Sequence, residues 1–272
     1  MTNEPMDDSF AVFTAADLER IRVETPVEQV EFHRDLASTN DLALELAGRE
    51  GFRFPLLVLA ESQTAGRGRR TNRWWSAGGA LTFSLLLETG ATQLPPSRWP
   101  QASLTAGLAV CEALEELLAD VEIHLKWPND VYLQRRKVSG ILVEAPRLQP
   151  GKLVLGIGIN VNNSLAGAPD DVSNMATTLC DVAGHRFPLV DVLVRVLDKL
   201  ARRLDWIGSR DRELRDRWRQ RCLLTNRRVQ IDTISGRLVG VCQGIDDEGA
   251  LLLHTDEGSQ RYLAGTVTLL DA

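Results

Sequence analysis

Residues 56–70 read LLVLAESQTAGRGRR. The apolar run Leu56–Ala60 has the length and composition of a buried strand. It leads into a loop in which glycines alternate with Arg67 and Arg69. Glycine lets a backbone approach a ligand closely, and the planar guanidinium group suits carboxylate and phosphate. Because ligand loops of α/β sheets often follow a buried strand, the stretch predicts a loop that folds over a small anion.

The arginines of this loop also allow a second interpretation. Four arginines fall within the seven positions 67–73, and long charged side chains usually lie on a solvated surface. Trp74 and Trp75 follow at once and supply an apolar wall beside the charge, which favours the ligand loop. The whole chain carries a net charge of -6, so the positive charge is local and general nucleic-acid binding is disfavoured.

Composition limits the class of protein. The 272 residues are 44% hydrophobic, enough for one large domain with a small additional one. No apolar run approaches the ~18 residues of a membrane span, and residues 1–9 do not resemble a signal peptide. We therefore expect a cytoplasmic protein without membrane contact. The cysteines are widely spaced, which predicts reduced thiols rather than a zinc or disulfide framework: Cys111, Cys180, Cys222 and Cys242.

Helix-like and strand-like patterns alternate over residues 31–223 and predict an α+β domain. The predicted helices run from Ser38 or Thr39 to Gly48, and over Ser103–Ala119, Leu189–Trp206 and Asp211–Cys222. The predicted strands are Leu56–Ala60, Ala80–Glu88, Val121–Leu125, Val131–Leu133, Lys137–Glu144 and Lys152–Ile159.

The two ends of the chain differ from this block. Residues 1–30 form an N-terminal lead, with a short helix over Ala15–Arg22 that Thr14 caps. Residues 224–272 show short alternating strands separated by turn signals and predict a separate small β-barrel. Its predicted strands are Val229–Ile231, Leu238–Gln243, Ala250–His254 and Tyr262–Leu263.

Lys126-Trp127-Pro128-Asn129-Asp130 is a second polar group. Lysine suits phosphate as a point charge, and a carboxylate suits Mg²⁺ as an oxygen ligand. The same residues are also ordinary turn chemistry, so a binding site and a simple tight turn are both open.

Two later strands carry further candidates. Lys137 precedes a strand interrupted by Gly140, and a glycine inside a strand often marks the close approach of a ligand; a surface lysine is the alternative. Gly156 and Gly158 leave a groove in the next strand, and Asn160 offers a donor and an acceptor. The four histidines form no cluster, and no P-loop is present, so the chemistry depends on cations around phosphate rather than on a protein nucleophile.

Together these motifs resemble the biotin protein ligase family from about Phe32 to the C-terminus. Five short motifs occur in the family's order, which makes the resemblance specific. They are Ser38-Thr39-Asn40, Gln63 with Gly66-Arg67-Gly68-Arg69, Lys126-Trp127-Pro128-Asn129-Asp130, Lys137 with Gly140-Ile141-Leu142-Val143-Glu144, and Gly158-Ile159-Asn160.

The resemblance implies a mixed-sheet catalytic domain of the class II synthetase-like biotin/lipoate ligase type and an SH3-like C-terminal barrel. It implies that biotin and ATP, with Mg²⁺, form biotinyl-5′-AMP, and that biotin then passes to a lysine of a biotin carboxyl carrier protein of acetyl-CoA carboxylase. Adenylation gives a carboxylate a good leaving group, and cations must screen the two anions that react.

The resemblance also assigns residues to these steps. Arg67, Arg69 and Lys137 would be catalytic, and Asp130 would be an Mg²⁺ ligand. The biotin site would comprise Ser38, Thr39, Asn40, Gln63, Gly66, Arg67, Gly68, Arg69, Trp74, Lys137 and Gly140. The nucleotide side would comprise Arg69, Arg70, Lys126, Asn129 and Asn160.

Two departures from the family pattern are visible. Thr71 and Asn72 stand where a glycine and a basic residue are common, which puts pyrophosphate contacts in doubt unless Arg73 supplies them. About thirty residues precede the core, too few for the DNA-binding domain of some members, so we expect no DNA binding. The sequence leaves open whether the protein forms a weak homodimer.

Two other functions remain as alternatives. A lipoate–protein ligase has a related fold and the same two-step logic, and the two motifs at 66–69 and 126–130 favour biotin over it. A non-catalytic nucleic-acid binder would use the arginines and tryptophans for phosphate and base stacking, and the acidic net charge opposes it.

Overall fold

The computed structural model describes residues 13–90, 94, 98–149 and 151–270. Its centre is a seven-stranded mixed sheet in the order β1-β2-β3-β7-β6-β5-β4, in which β1 and β2 are parallel and the other pairs are antiparallel. The predicted strands of this domain are confirmed, and β1 is an addition. The strands are β1 Gln29–Leu36, β2 Leu56–Gln63, β3 Leu81–Glu88, β4 Ile123–Lys126, β5 Asp130–Leu133, β6 Arg136–Glu144 and β7 Lys152–Ile159.

Helices cover both faces of this sheet. Alternate residues of β2 belong to two cores: Leu57 and Leu59 to the larger, Leu56 and Val58 to the smaller. The larger core contains α3 and α6, which pack against each other, and the smaller contains α2. The helices are α1 Ala15–Glu24, α2 Thr39–Leu46, α3 Trp99–Glu115, α4 Asp170–Ser173, α5 Leu179–Ala183, α6 Leu189–Leu204 and α7 Asp211–Gln220.

The predicted helices are confirmed with shifted ends. The largest shift is in α3, which begins four residues before the predicted Ser103 and ends at Glu115 rather than Ala119. Pro100 lies in its first turn, where the missing N–H costs nothing because those donors lack helical partners. None of the described helices is long and apolar enough to cross a bilayer.

The second half of the predicted lead is part of the main core. Thr14 and Asp17 form a reciprocal capping box that starts α1. Ile21 is fully buried in the larger core, and Arg20 pairs with Asp191 of α6 at 2.5 Å. Strand β1 begins at Gln29, before the predicted end of the lead. Residues 1–12 of the lead lie outside the described part of the chain.

The C-terminal region is a five-stranded antiparallel sheet in the order β11-β10-β9-β8-β12. The prediction for this region needs two corrections: the predicted strand Tyr262–Leu263 overlaps β11 at Tyr262 alone, and β12 was not expected. In β11 every residue is exposed or half-buried, and β12 buries Val267 alone, so neither has a clear apolar pattern. The strands are β8 Arg228–Thr233, β9 Gly236–Ile245, β10 Leu251–Thr255, β11 Gly258–Tyr262 and β12 Thr266–Leu269.

The buried side chains of this sheet continue into the larger core. Val229 and Ile231 of β8 belong to the same buried cluster as α3 and α6. The division between residues 223 and 224 into two domains stays a prediction.

Candidate ligand-binding site

A cavity of about 940 Å³, including its open mouth, lies between the arginine loop, β6, β7 and β12. It collects residues from all five motifs and opens beside the C-terminal sheet. Of the predicted site residues, Gly66 and Asn160 do not line it. Those that do are Ser38, Thr39, Asn40, Gln63, Arg67, Gly68, Arg69, Arg70, Trp74, Lys126, Asn129, Asp130, Lys137 and Gly140.

The arginine loop is a tight hairpin. A β-bridge joins Arg67 and Arg73, and the Gly68 N–H donates to the Asn72 carbonyl at 2.8 Å. Arg70 at the tip has φ +57°, a left-handed conformation that is uncommon for a residue with a side chain. Thr71 and Asn72, the departures from the family pattern, lie at this tip, and Asn72 faces the cavity.

Gly66 lies at the base of the hairpin rather than in the cavity wall. The Trp74 N–H donates to its carbonyl at 3.0 Å. A Cβ at residue 66 would lie 2.7 Å from the Trp74 carbonyl oxygen, closer than van der Waals contact allows. Gly66 therefore permits the two sides of the hairpin to meet.

Buried polar side chains form the inner end of the cavity. Ser38 caps α2, which places Thr39 and Asn40 at the start of that helix. The Gln63 Oε1 atom accepts from the Thr39 N–H at 2.7 Å and from the Thr39 hydroxyl at 3.1 Å. Ser84 of β3 lies beneath, with its hydroxyl 2.8 Å from the Thr39 oxygen and 2.5 Å from Asn40 Oδ1. This network sets the direction of each donor and acceptor that a polar ligand would meet.

Glycines in β6 and β7 make room for two side chains of the site. A Cβ at Gly156 would overlap the Asn40 amide, and a Cβ at Gly158 would overlap the Trp74 indole. At Gly140 it would lie 3.5 Å from the same indole. The sequence had identified the groove but not its occupants, because they come from elements more than seventy residues away.

Three cationic groups converge on the outer end of the cavity. Desolvation by burial lowers the pKa of Arg69, and the Arg70 charge lowers it further. Desolvation also lowers the pKa of Lys126, whose ammonium group lies 5.7 Å from the centre of the Tyr132 ring. Lys137 pairs with Asp130 at 2.7 Å. Because Arg69 and Lys126 have lost much of their hydration, an anion placed beside them would be strongly favoured.

Arg67 differs from the other cations because two carboxylates already hold it. Its guanidinium group donates to both oxygens of Glu144, at 2.9 and 2.6 Å, and pairs with Asp41 at 2.7 Å. The hydrogen bond to Glu144 is the main reason that its pKa is raised. Glu144 also accepts from the Asn40 amide at 2.9 Å. Arg67 therefore ties the hairpin to α2 and β6.

The two predicted amides on the nucleotide side occupy different places. Asn129 faces the cavity, donates to the Ile141 carbonyl at 2.7 Å and lies 3.5 Å from the Arg69 guanidinium. Asn160 is buried, donates to the Thr177 carbonyl at 3.1 Å and accepts from Asn163. Its amide is thus engaged within the protein, and its nucleotide contact stays a prediction.

Asp130 is the one predicted metal ligand. Among the described residues no three His, Cys, Asp or Glu side chains form a metal cluster. A single carboxylate beside the cations of the cavity nevertheless fits Mg²⁺, which is commonly bound through one or two carboxylates together with substrate phosphates. Asp130 lines the cavity and lies beside Lys137.

Sequence reasoning did not identify several participants in the site. Ser84 of β3 lies between the apolar residue Phe83 and the apolar run Leu85–Leu87, a signal that would have found it. The C-terminal contacts had no such signal: Arg69 donates to the Gly265 carbonyl at 3.3 Å, and Arg70 to the Thr266 hydroxyl at 3.2 Å. These pairs are 196 positions apart in the chain.

Comparison with known proteins assigns this chain to a protein family. Residues 32–162 match the biotin/lipoate A/B protein ligase family, and residues 225–270 match the biotin protein ligase C-terminal domain. The chain belongs to the biotin protein ligases, since both parts match and the relatives below cover most of its length.

Two curated relatives and one solved structure illustrate the similarity. The bifunctional ligase/repressor BirA of Bacillus subtilis is 33% identical over 92% of this chain and 76% of its own length. The biotin–[acetyl-CoA-carboxylase] ligase of Mycobacterium tuberculosis is 36% identical over 79% of each chain. A biotin protein ligase from Aquifex aeolicus in complex with biotin and ATP is 31% identical, with a TM-score of 0.77, over 90% of this chain and all of that one.

Proposed function

We propose that the protein activates biotin with ATP to biotinyl-5′-AMP and then transfers the biotin to a lysine of a biotin carboxyl carrier protein. One observation carries the proposal: a single cavity has a buried polar inner end and an outer end with three desolvated or paired cations. Such a cavity suits a ligand that is neutral and polar at one end and anionic at the other.

The inner end suits the ureido group of biotin. That group has one carbonyl oxygen and two N–H groups, and Thr39, Asn40 and Gln63 offer both donors and acceptors to it. Trp74 provides an apolar wall for the rest of the molecule, because Gly158 leaves room for its indole against β7. A lipoate ring has no hydrogen-bonding groups to satisfy this polar network, which favours biotin.

The outer end suits the first half-reaction. A carboxylate oxygen of biotin attacks the α-phosphorus of ATP, and the bond to pyrophosphate breaks. Arg69 and Lys137 meet the carboxylate and the α-phosphate, and Lys126 meets the phosphates further out. Their charges screen the repulsion between two anions and stabilise the charge that develops during the transfer. Asp130 would hold an Mg²⁺ ion, which would neutralise phosphate charge.

The hairpin retains the product of that step. A mixed anhydride must be kept from water, and residues 67–70 and 72–74 form one wall of the cavity. Arg67 positions the hairpin through Glu144 and Asp41. Arg69 is the arginine that contacts the biotin carboxylate and the α-phosphate. In the second half-reaction a deprotonated carrier lysine attacks the biotinyl carbonyl and AMP leaves.

The acceptor and the location follow from the same proposal. Relatives named biotin–[acetyl-CoA-carboxylase] ligase support a carrier protein of that carboxylase as the acceptor. We place the protein in the cytoplasm, in keeping with four free cysteines.

Exchange of radiolabelled pyrophosphate into ATP tests the first half-reaction. We expect exchange with biotin and none with lipoate or without an acid. Lys137→Ala should lower the exchange rate about a hundredfold, because it removes a charge beside the reacting groups. Lys199→Ala is the matched control, since Lys199 pairs with Glu116 away from the cavity. Exchange with lipoate alone, or none with either acid, would contradict the proposal.

A further inference from the structure

Glu144, the last residue of β6, contacts two parts of the site at once. Its Oε1 atom accepts from Nη1 of Arg67 at 2.9 Å, and its Oε2 atom accepts from Nη2 of the same guanidinium group at 2.6 Å. Oε2 also accepts from Nδ2 of Asn40 at 2.9 Å. One carboxylate therefore joins the hairpin to the polar inner end of the cavity.

These contacts fix the direction in which the Asn40 amide points. The Ser84 hydroxyl donates to its Oδ1 atom at 2.5 Å, while its Nδ2 atom donates to Glu144 and, at 3.4 Å, to the Leu142 carbonyl. If the amide turned over, Oδ1 would face a carboxylate and a carbonyl, and acceptors would oppose each other. Oδ1 therefore stays over Gly156, where a Cβ would lie 2.0 Å from it.

The amide so oriented presents an acceptor to the cavity. Both hydrogens of Nδ2 are directed at groups of the protein, whereas an amide oxygen has two lone pairs and Ser84 uses one of them. Asn40 lines the cavity and is only 4% exposed. The second lone pair is thus available to an N–H group of a ligand.

Glu144 is also the stronger of the two carboxylates that hold Arg67. Asp41 meets the guanidinium through one contact at 2.7 Å, and its side chain is 52% exposed. Glu144 receives two N–H bonds and its side chain is 25% exposed. Two bonds from one guanidinium add direction as well as strength, and water screens the more exposed pair more fully.

We propose that Glu144 is a positioning residue for biotin recognition, which orients the Asn40 amide towards a ureido N–H group and, through Arg67, holds the hairpin beside it. The inference rests on the proposed function, because it concerns the biotin end of the same site. Biotin recognition and the anchoring of the hairpin consequently depend on a single side chain.

Glu144→Met tests the orientation of the amide, because it keeps the length of the side chain and removes both acceptors. We expect the KM for biotin to rise about tenfold, as for the loss of about one hydrogen bond. The KM for ATP should stay within about twofold, since Glu144 contacts neither Arg69 nor Lys126. Pyrophosphate exchange measures both constants, and urea unfolding verifies that the variant is folded.

Glu144→Gln separates the two roles of the side chain. The Oε2 position receives two donors, so the amide oxygen should take that place and still accept from Asn40. The KM for biotin should then return to within about threefold of the wild-type value. The amide NH₂ group would face Nη1 of Arg67, and the hairpin should remain loosened.

Limited digestion with trypsin follows the hairpin in the ligand-free protein, with peptide mapping by mass spectrometry. Cleavage within residues 67–73 should be about threefold faster than in the wild type in both Glu144 variants, because a partly exposed ion pair is lost. Glu45→Met is the matched control. Glu45 pairs with Arg49 on the exposed side of α2, and neither the biotin KM nor the cleavage rate should change.

The outcomes separate this inference from the proposed function. No biotin-dependent exchange in the wild type contradicts the proposed function, and the trypsin rates then still decide whether Glu144 anchors the hairpin. If the wild type exchanges, the inference is overturned by a biotin KM in Glu144→Met that equals that of Glu45→Met or falls below it. A KM for ATP that rises equally, no recovery in Glu144→Gln, or unchanged cleavage would also overturn it.

Discussion

Gly158 shows at the scale of one residue how an absent side chain shapes the cavity. The indole of Trp74 occupies the space where a Cβ at this position would lie. The strand therefore accepts a large aromatic ring against its surface, and the ring lines the binding site. The apolar character of that wall comes from the hairpin, and its position comes from β7.

A Gly158→Ala variant tests this arrangement. The added methyl group should push the indole into the cavity and raise the KM for biotin about tenfold or more, since overpacking of a filled space costs about 1–3 kcal/mol. The KM is measured by pyrophosphate exchange. Gly78→Ala is the control, because a Cβ there would meet no described atom within 4 Å. Equal KM values for the two variants would show that the indole is free to move away.

The buried cations make a second point at this scale. Arg69 and Lys126 both have pKa values lowered chiefly by desolvation, which means that the folded protein holds these charges at an energetic cost. An anionic ligand offsets that cost. The desolvation of these two charges is thus a source of affinity for an anion.

At the scale of an element, α1 shows how the described part of the N-terminal lead is attached to the main core. Its amphipathic character is weak, with Ile21 as its one fully buried residue, and a capping box defines its start. The Arg20–Asp191 pair joins it to α6. Both partners are more than a third exposed, so that pair contributes little to stability, and burial of Ile21 is the main attachment.

Ile21→Ala should lower the free energy of unfolding by about 3 kcal/mol, because it removes a fully buried side chain and leaves a cavity. Urea unfolding followed by circular dichroism measures the change. Val23→Ala, in the same helix turn but 74% exposed, should change stability by less than about 0.5 kcal/mol. If both variants unfold at the same urea concentration, α1 is not part of the cooperative unit.

At the scale of the whole molecule, the C-terminal sheet supports the ligand cavity from outside. The buried Trp127 indole N–H donates to the Gly249 carbonyl at 3.1 Å, in the turn before β10. Gly265 and Thr266 hold the two arginines at the hairpin tip. The sheet therefore contacts both the 126–130 motif and the hairpin, and the cavity depends on how the two parts of the chain pack.

Trp127→Phe should destabilise the protein by about 1–3 kcal/mol, since it leaves the buried Gly249 carbonyl without its donor, and it should slow pyrophosphate exchange. Trp99→Phe is the matched control, because the Trp99 indole N–H has no hydrogen-bond partner among the described residues. Chemical denaturation and exchange assays are run on both. If the Trp127→Phe variant is as stable and as active as Trp99→Phe, the hydrogen bond from Trp127 to the C-terminal sheet does not support the site.

Most helices and strands of this protein, and the residues that carry charge to its cavity, could be predicted from local sequence signals. Hydrophobic period, helix caps and turn residues are local signals, so α2, β2, β3, β7 and α6 could be located without a structure. The motifs that line the cavity are likewise short runs of sequence. Strands β1 and β12 were not predicted, and β11 was predicted only in part, because each buries few residues and has a weak apolar pattern.

The partners of those residues could be found only from the folded chain. Arg67 meets Glu144 across 77 positions, and Arg69 meets Gly265 across 196. Contacts of this kind depend on strand register and on which faces pack together, and neither is encoded in a local run of residues. The sequence therefore identifies the charged side chains of the site. The packing of the chain determines which of them pair with groups of the protein and which can contact a ligand.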